Sequence, residues 1–316
     1  MQQPLYINID ASLSPEGLEL EIIQGLEQPD ASISPKFLYD NLGSHLFTAL
    51  THLPEYYPTK VEHEIFQTYK KEIAAAMGDI SCLIDLGAGN CQKAEFMFDV
   101  LVPSTYVAVD FSVDYLRNVL PQLQSKFPAI KMIGIGQDFS QQLSLPHPIP
   151  DRQRDFFYPG SSIGNFSAEK ATDLLQHIHS NTQGGGLLLG VDLMKEDEIL
   201  LNAYDDPLKL TAAFNLNILR VVNTMIGSNF DVRDFRHTIT INHALQRVEL
   251  YLEASREVHV SWNSGSRRFK KGELIHTENS HKYSTASIEE LLRASGFDRF
   301  QTWTDSKDYF ALIHAQ

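Results

Sequence analysis

The chain has 316 residues, of which 43% are hydrophobic and 21% are charged, and its formal net charge at pH 7 is −14. This composition is typical of an ordinary globular protein that holds one large domain or two unequal ones. The acidic balance argues against a nucleic-acid substrate, which requires a clustered basic face, and no apolar run is long enough to predict a membrane span.

Residues 1 to about 58 are turn-rich, with six prolines, and contain one aromatic block, Phe37–Asp40. The N-terminus lacks the basic and then apolar pattern of a secretory signal. The chain has two cysteines, Cys82 and Cys91, which do not make a disulfide framework. We therefore expect a protein of the reducing cytoplasm.

Between residues 59 and 192, short apolar runs alternate with helical stretches. Nearly continuous apolar runs of this length, separated by helices, indicate a parallel sheet that is covered on both faces. The predicted strands are 82–86, 106–110, 131–135, 156–158 and 186–192. The predicted helices are 61–76, 93–101, 114–127 and 168–179, the last with Ser167 as its N-cap.

After residue 192 this alternation is lost. A helical stretch at 197–225 precedes alternating segments that predict a small antiparallel sheet, and residues 284–316 return to a helix followed by a strand. The alternating segments are 237–242, 247–254 and 257–262; the final helix and strand are 287–295 and 309–314. The sequence thus predicts a doubly wound α/β domain from 59–192 and 284–316, and a smaller domain from 1–58 and 193–283.

Neither the basic run nor the histidines predict a site. The run Arg267–Lys271 is interpreted as a solvated turn or strand end. His177 and His179 lie two apart on a predicted helix, and His276 and His281 fall on opposite faces of a predicted strand. The close spacing of metal ligands is missing, so we expect no metal.

The turn from the first predicted strand into the first helix reads Asp85-Leu86-Gly87-Ala88-Gly89-Asn90. Glycines there allow a sharp turn and a close approach of the backbone to a ligand. A dinucleotide site would need a third glycine at position 92, where glutamine stands. Together with the acidic residue that opens the motif, this favours S-adenosylmethionine as the cofactor.

Two later positions strengthen that interpretation. Asp110 ends the next strand, 21 residues after Gly89, where a carboxylate can accept hydrogen bonds from both ribose hydroxyls. Asp138 follows the third strand and could face the adenine amino group, with Phe139 against the ring. The alternative is that these are ordinary loop acids and glycines.

Several motifs carry a resemblance that runs through nearly the whole chain. They are Phe37–Phe47, Leu53–Thr59, Gly160–Phe166, Ala203–Asp206 with Thr211–Asn215, and Thr277–Tyr283. In these motifs the chain resembles the histidine-specific Nα-methyltransferases of ergothioneine biosynthesis. That family also includes fungal enzymes that N-methylate tryptophan-derived amines.

The resemblance implies a Rossmann-like class I methyltransferase sheet with a second, smaller α+β substrate domain. It implies an S-adenosylmethionine-dependent N-methyltransferase that acts on the α-amino group of a free amino acid, converting L-histidine to its trimethyl betaine. Another amino acid, a tryptophan-like amine, or a non-catalytic cofactor-binding scaffold remain alternatives. The oligomeric state stays open, a monomer included.

The resemblance also implies individual site residues. Those expected at S-adenosylmethionine are Tyr39, Gly87, Lys93, Asp110, Asp138 and Phe139. Those expected around the amino acid are Tyr56, Gly160, Asn165, Tyr204, Phe214, Leu250, Glu278 and Ser280. At position 250 the bacterial histidine enzymes carry methionine, and leucine has a similar volume but a different shape.

The chemistry of these residue types agrees with such roles. Asn165 and Tyr204 can donate hydrogen bonds to a carboxylate. Glu278 and Ser280 lie two apart on a predicted strand, so both can face one pocket and hydrogen-bond an imidazole. Tyr39 and Tyr56, the candidate catalytic residues, could orient the amine through their hydroxyls. The alternatives are that Asn165 is a turn residue and Glu278 a solvent-facing strand residue.

Overall fold

A computed structural model describes residues 3–9, 14–111, 113–140 and 142–316. Within these residues the strands are β1 (Leu5–Asn8), β2 (Cys82–Leu86), β3 (Thr105–Asp110), β4 (Lys131–Gly136), β5 (Arg154–Tyr158), β6 (Leu187–Asp192), β7 (Phe235–Asn242), β8 (Arg247–Ala254), β9 (Val258–Trp262), β10 (Gly265–Phe269), β11 (Leu274–His281), β12 (Phe300–Thr304) and β13 (Phe310–Ala315). The helices are α1 (Pro15–Glu27), α2 (Asn41–Leu50), α3 (Tyr57–Met77), α4 (Gln92–Leu101), α5 (Val113–Lys126), α6 (Ala168–Thr182), α7 (Asp197–Tyr204), α8 (Leu210–Ile226) and α9 (Thr285–Ala294).

The large sheet has the strand order β1-β4-β3-β2-β5-β6-β13-β12. The strands from β1 to β6 in this order are parallel, whereas β13 runs antiparallel to both β6 and β12. Every residue of β2, β6 and β13 is buried, which explains why those strands read as continuous apolar runs. The predicted doubly wound, Rossmann-like α/β sheet is confirmed.

The strand order reverses between β2 and β5, because the chain adds β3 and β4 on one side of β2 and continues with β5 on the other. In open α/β sheets, ligands bind at such a switch point, outside the carboxyl ends of the strands. The turn after β2 and the end of β3 therefore lie where a bound cofactor is expected.

The chain divides into two compact units. The first contains 61–193, 283–316 and the described residues before position 12; the second contains 194–282 and the described residues from 14 to 60. The sequence predicts instead that the whole of 1–58 belongs to the smaller domain. β1 accounts for the difference, because it pairs in parallel with β4 at the edge of the large sheet. Residues 1, 2 and 10–13 of that predicted segment lie outside the described residues.

The second unit is an α+β structure. Its three-stranded antiparallel sheet has the order β11-β8-β7, and β9 pairs with β10 in a separate hairpin. The prediction of one sheet from the segments that became β7, β8 and β9 was wrong in this respect. The sheet and the hairpin share one apolar core with α1 and α8, in which Leu26, Ile218, Leu252 and Val260 are fully buried.

Three further local predictions need correction. The proline-rich N-terminal segment contains two helices, α1 and α2, begun by the N-caps Ser14 and Asp40. The predicted helix 197–225 is two helices, α7 and α8, because the fully buried Asp206 accepts the first free N–H groups of α8. Pro207, which follows it, favours the same break.

The third correction concerns the basic run. Arg268, Lys270 and Lys271 are exposed, as expected, whereas Arg267 is partly buried. Its guanidinium donates to the backbone carbonyls of Leu26, Gln28 and Pro29 and to the carboxylate of Glu273. Arg267 thus fixes the end of α1 to β10. Within the described ranges, none of the helices combines the length and the hydrophobicity that a bilayer span requires.

Candidate functional site

The glycine turn after β2 has the backbone conformation that its sequence predicts. Gly87 and Gly89 have φ angles of 68° and 51°, in the left-handed region that favours glycine. The N–H groups of Gly87 and Ala88 both donate to the carbonyl of Val109, at 2.9 and 3.1 Å. The turn is therefore held against the end of β3, next to the residue predicted to bind ribose.

That residue is Asp110, at the end of β3. Its Oδ2 accepts a hydrogen bond from the N–H of Gly89 at 2.9 Å, so one carboxylate oxygen supports the glycine turn directly. A carboxylate offers about four acceptor positions. Asp110 thus fixes the turn, and its binding of a ribose diol stays a prediction.

Asp138 and Phe139 follow β4, the next strand along the sheet. Asp138 accepts from both the N–H and the hydroxyl of Ser140, which fix its orientation. The ring of Phe139 lies so close to the turn that a Cβ placed on Gly87 would be 3.9 Å from its Cζ. On its other side, Phe139 packs edge-on against Tyr158, with ring centroids 5.8 Å apart. A flat apolar wall therefore stands beside the glycine turn.

Glu62 bridges two residues that are predicted to bind different ligands. The Oε2 of Glu62 lies 2.6 Å from the Nζ of Lys93, and its Oε1 accepts the N–H of Gly160 at 2.6 Å. The Glu62 side chain is only 3% exposed, whereas that of Lys93 is 41% exposed. Glu62 thus ties Lys93, expected at the cofactor, to Gly160, expected at the amino acid. Glu62 is not among the residues that the sequence predicts at the site, because no motif surrounds it.

Asp85 opens the glycine motif and is buried at the end of β2. Its Oδ2 accepts the hydroxyl of Tyr106 at 2.7 Å. Burial raises the pKa of Asp85 to about 7, with smaller contributions from the neighbouring Asp110 and Glu62; Tyr106 and Lys93 act in the opposite direction. This carboxyl group therefore changes its charge near neutral pH.

These features fit S-adenosylmethionine. Of the adjacent strands, β2 leads into the glycine turn, β3 ends in Asp110, and β4 is followed by Asp138. The two carboxylates can supply acceptors for ribose O–H and adenine N–H groups. Phe139 supplies an apolar face for a planar ring. Acidic side chains also suit the positive charge of a sulfonium.

In the second unit, three of the predicted aromatic residues meet around Phe47. Tyr39 and Phe214 have ring centroids 5.4 Å apart, and Phe47 lies 5.5 Å from Tyr39, 5.7 Å from Phe214 and 6.0 Å from Tyr56. Most of these contacts are edge-to-face, a favoured geometry for aromatic pairs. Phe47 was part of the resemblance but not of the predicted site. We call Tyr39, Phe47, Tyr56 and Phe214 the aromatic cluster.

A second group in this unit joins Tyr204 to Ser280. Their hydroxyl oxygens are 2.7 Å apart, and the Nζ of Lys282 donates to Tyr204 at 2.7 Å and to Ser280 at 2.8 Å. Lys282 is 2% exposed, and Tyr204 and Ser280 are both 8% exposed. Lys282 lies within the motif Thr277–Tyr283 but is not among the predicted site residues. Tyr204, Ser280 and Lys282 are called the hydroxyl triad below.

Glu278 lies on β11 directly opposite Leu250 on β8, just beyond a bulge at His276–Glu278. Residues directly opposite each other in an antiparallel pair project from the same face. The predicted carboxylate and the predicted apolar residue therefore stand side by side. Glu278 is half-buried, and its contact with a ligand stays a prediction.

The predicted site residues divide between the two units. The first unit contains Gly87, Lys93, Asp110, Asp138, Phe139, Gly160 and Asn165; the second contains Tyr39, Tyr56, Tyr204, Phe214, Leu250, Glu278 and Ser280. Asn165 ends the short 3-10 helix Ser162–Asn165 and is half-buried. Across 3–9, 14–111, 113–140 and 142–316, no three His, Cys, Asp or Glu side chains are grouped so as to hold a metal ion.

Comparisons with known proteins agree with the cofactor that the sequence predicts. A family model described as histidine-specific, S-adenosylmethionine-dependent methyltransferase matches residues 18–316. The chain is 33% identical to a histidine N-alpha-methyltransferase of Mycolicibacterium smegmatis, over 96% of this chain and 95% of that protein. It is also 33% identical to the protein of that name from Mycobacterium tuberculosis, over 93% of each chain.

A third relative is the ergothioneine biosynthesis protein 1 of Schizosaccharomyces pombe. It is 29% identical over 92% of this chain, which corresponds to 38% of that longer protein. The family model and the two bacterial relatives each cover more than nine-tenths of the chain. The chain belongs to the family of histidine-specific, S-adenosylmethionine-dependent methyltransferases.

Proposed function

We propose that this enzyme transfers methyl groups from S-adenosylmethionine to the α-amino group of free L-histidine and yields its trimethyl betaine. The observation that carries the proposal is the pairing of Glu278 with Leu250 on neighbouring strands, within a chain of this family. An imidazole has N–H donors and an apolar ring. The half-buried carboxylate of Glu278 can accept from a ring N–H, and Leu250 beside it can pack against the ring.

S-adenosylmethionine supplies a methyl group on a positively charged sulfur, and the amine attacks it in line. The protein must therefore align the amine and accept it in its neutral form. An α-amino group has a pKa of roughly 8, so a minority is neutral at pH 7. Holding the reactants in line lowers the barrier without a covalent enzyme intermediate. In this proposal Tyr39 and Tyr56 orient the amine through their hydroxyls.

The aromatic cluster supports transfer of more than one methyl group. Each transfer makes the nitrogen larger and more apolar, and the third leaves a permanent positive charge. Aromatic rings attract quaternary ammonium groups through cation–π interactions. Tyr39, Phe47, Tyr56 and Phe214 form such an aromatic surface within one unit, so a methylated product is not repelled as its charge becomes fixed.

The remaining assignments complete the proposed site. Gly87, Lys93, Asp110, Asp138 and Phe139 hold S-adenosylmethionine, together with Tyr39. Asn165 and Tyr204 hold the carboxylate of the amino acid, next to Gly160 and Phe214, while Glu278 and Ser280 hold its ring. We place the reaction in a reducing cytoplasm, where the free and buried thiols of Cys82 and Cys91 persist.

The test is a substrate survey with the purified enzyme. S-adenosylmethionine that carries an isotopically labelled methyl group is incubated with each of the free amino acids and with tryptamine, and products are identified by mass spectrometry. We expect histidine to gain three labelled methyl groups. Faster turnover of tryptophan or of an amine without a carboxylate would overturn the histidine assignment, and no transfer to any of them would overturn the activity.

A further inference from the structure

Lys282 is buried beneath two side chains that the proposed function assigns to the substrate. Its Nζ lies 2.7 Å from the hydroxyl oxygen of Tyr204 and 2.8 Å from that of Ser280. It also lies over the Tyr204 ring, 4.6 Å from the centroid. A lysine carries donors and no acceptor, so in both contacts the hydroxyl oxygen must accept.

This fixes the direction of the two hydrogen bonds from Lys282 but not that of the bond between Tyr204 and Ser280. The Tyr204 and Ser280 oxygens are 2.7 Å apart, and only one hydrogen can lie between them. The other hydroxyl hydrogen must therefore point out of the triad. Two arrangements are possible: Ser280 donates to Tyr204, or Tyr204 donates to Ser280.

The two arrangements present opposite surfaces to a ligand. If Ser280 donates to Tyr204, the Tyr204 oxygen accepts twice and its own hydrogen points outward, where it can donate to a carboxylate. The Ser280 oxygen then keeps one lone pair that can accept from a ring N–H. If Tyr204 donates to Ser280, Tyr204 has no hydrogen left for a carboxylate. The first arrangement alone serves both ends of histidine.

We propose that Lys282 is a positioning residue for the substrate: by donating to both hydroxyls, it leaves one hydroxyl hydrogen that points out of the triad, and the bound amino acid selects the arrangement in which Tyr204 donates to its carboxylate and Ser280 accepts from the ring N–H. This inference rests on the proposed function. A lysine amino group behind the two hydroxyls also favours an anion in front of them, because a donor polarised by a nearby positive group forms a stronger hydrogen bond. The carboxylate is thus held without an arginine.

The experiment compares L-histidine with histamine, which has the same ring and amine but no carboxylate. Lys282→Met removes the donors at similar volume, and Lys282→Gln removes the charge but keeps two N–H donors. For histidine we expect kcat/KM to fall about 30-fold in Lys282→Met and to be largely restored in Lys282→Gln, the size that a charge-assisted hydrogen bond implies. Turnover of histamine, slow in the wild type, should change less than about threefold.

The matched control is Lys126→Met, which removes an exposed lysine paired with Glu95. Affinity for S-adenosylmethionine, measured by calorimetry, reports that each variant is folded. Equal losses for histidine and histamine, or equal activity of the Met and Gln variants, would overturn the positioning role. If Lys282→Met does not fold, Lys282→Gln tests the positioning role by itself. Its activity toward histidine should fall about fivefold, and its activity toward histamine should be unchanged.

A failure of the proposed function would look different. In that case the wild type methylates another amino acid better than histidine. The same variants are then compared on that amino acid and its decarboxylated amine. A fall in kcat/KM that is confined to the amino acid still supports the positioning role of Lys282. An equal fall for the amino acid and its amine contradicts that role.

Discussion

The carboxylate of Glu62 lies 2.6 Å from the ammonium nitrogen of Lys93, and the two residues differ sharply in exposure, 3% against 41%. Lys93→Met would leave a buried carboxylate without its cation, whereas Glu62→Gln would leave a lysine that water can solvate. We therefore expect Lys93→Met to lower the free energy of unfolding more than Glu62→Gln does, by about 1–3 kcal/mol. Urea denaturation measures the free energy of unfolding of both variants. Similar losses of stability in the two would show that the ion pair is screened by solvent.

Gly160 tests whether the position of Lys93 matters for the cofactor. Its φ is 85°, and a Cβ there would lie 2.8 Å from the Nζ of Lys93. Gly160→Ala should strain the backbone by about 1–2 kcal/mol and displace the lysine, which weakens binding of S-adenosylmethionine. Gly184→Ala is the matched control, since Gly184 has a φ of 96° but no atom within 4 Å of its Cβ. Equal affinities of the two variants would exclude Lys93 from the cofactor site.

Asp110 should be the strongest single determinant of donor binding. Asp110→Ala removes both the proposed ribose acceptor and the partner of the Gly89 N–H, and we expect about 10- to 100-fold weaker binding of S-adenosylmethionine by calorimetry. Asp110→Asn keeps an acceptor for the N–H of Gly89 and should lose less affinity for S-adenosylmethionine. Asp114→Ala removes an exposed aspartate paired with Arg117 and should bind normally. Unchanged affinity in Asp110→Ala would remove this residue from the site.

The pKa of Asp85 makes donor binding depend on pH. Burial raises this pKa to about 7, so below pH 7 the free enzyme holds a neutral Asp85. A bound sulfonium favours the ionised form, and binding then releases a proton. Affinity for S-adenosylmethionine should therefore rise with pH up to about pH 7, by less than tenfold per unit, and level off above it.

Asp85→Asn should abolish this rise. Asp155→Asn is the control, because burial also raises the pKa of Asp155 to about 7, but this residue lies near the start of β5, where its carboxylate accepts the N–H of Gly186. Calorimetry in buffers of different ionisation enthalpy counts the released protons. A pH dependence that survives Asp85→Asn would assign the proton to another group.

Glu278 determines the preferred amino acid in the proposed function. Removing the acceptor for a ring N–H should cost histidine on the order of 100-fold in kcat/KM, if the lost bond is worth about 3 kcal/mol. Glu278→Ala should therefore erode the preference for histidine over phenylalanine without altering donor affinity. Leu250→Met, directly across from Glu278, conserves volume and should change histidine turnover only a few-fold. Undiminished histidine turnover in Glu278→Ala would contradict the proposed ring contact.

Much of the first unit could be predicted because its signals are local. The strand Cys82–Leu86 was placed without error, and Ser167 caps α6 by accepting the N–H of Lys170, as expected. α1 also had a local signal, since Ser14 and Pro15 are a typical N-cap and first helical residue, but the surrounding prolines obscured it. Periodic and capping patterns depend on neighbours in sequence, which is why they can be read directly.

The contacts that complete the candidate site are not local. Glu62 meets Gly160 across 98 residues, and Lys282 meets Tyr204 across 78. Nothing in the immediate sequence of Glu62 or Lys282 distinguishes it from a surface charge. Only the fold buries these two charged side chains next to the partners that give them a role.

The contact of Arg267 with the end of α1 also bears on how the protein is made. Arg267 and Leu26 are 241 residues apart, so α1 leaves the ribosome long before its partner exists. At roughly 5–20 residues per second, the delay is about 10–50 s. All of 61–193, which supplies most of the large sheet, is synthesised in that interval. The contacts that fix the end of α1 to β10 are therefore among the last that this helix can form during synthesis.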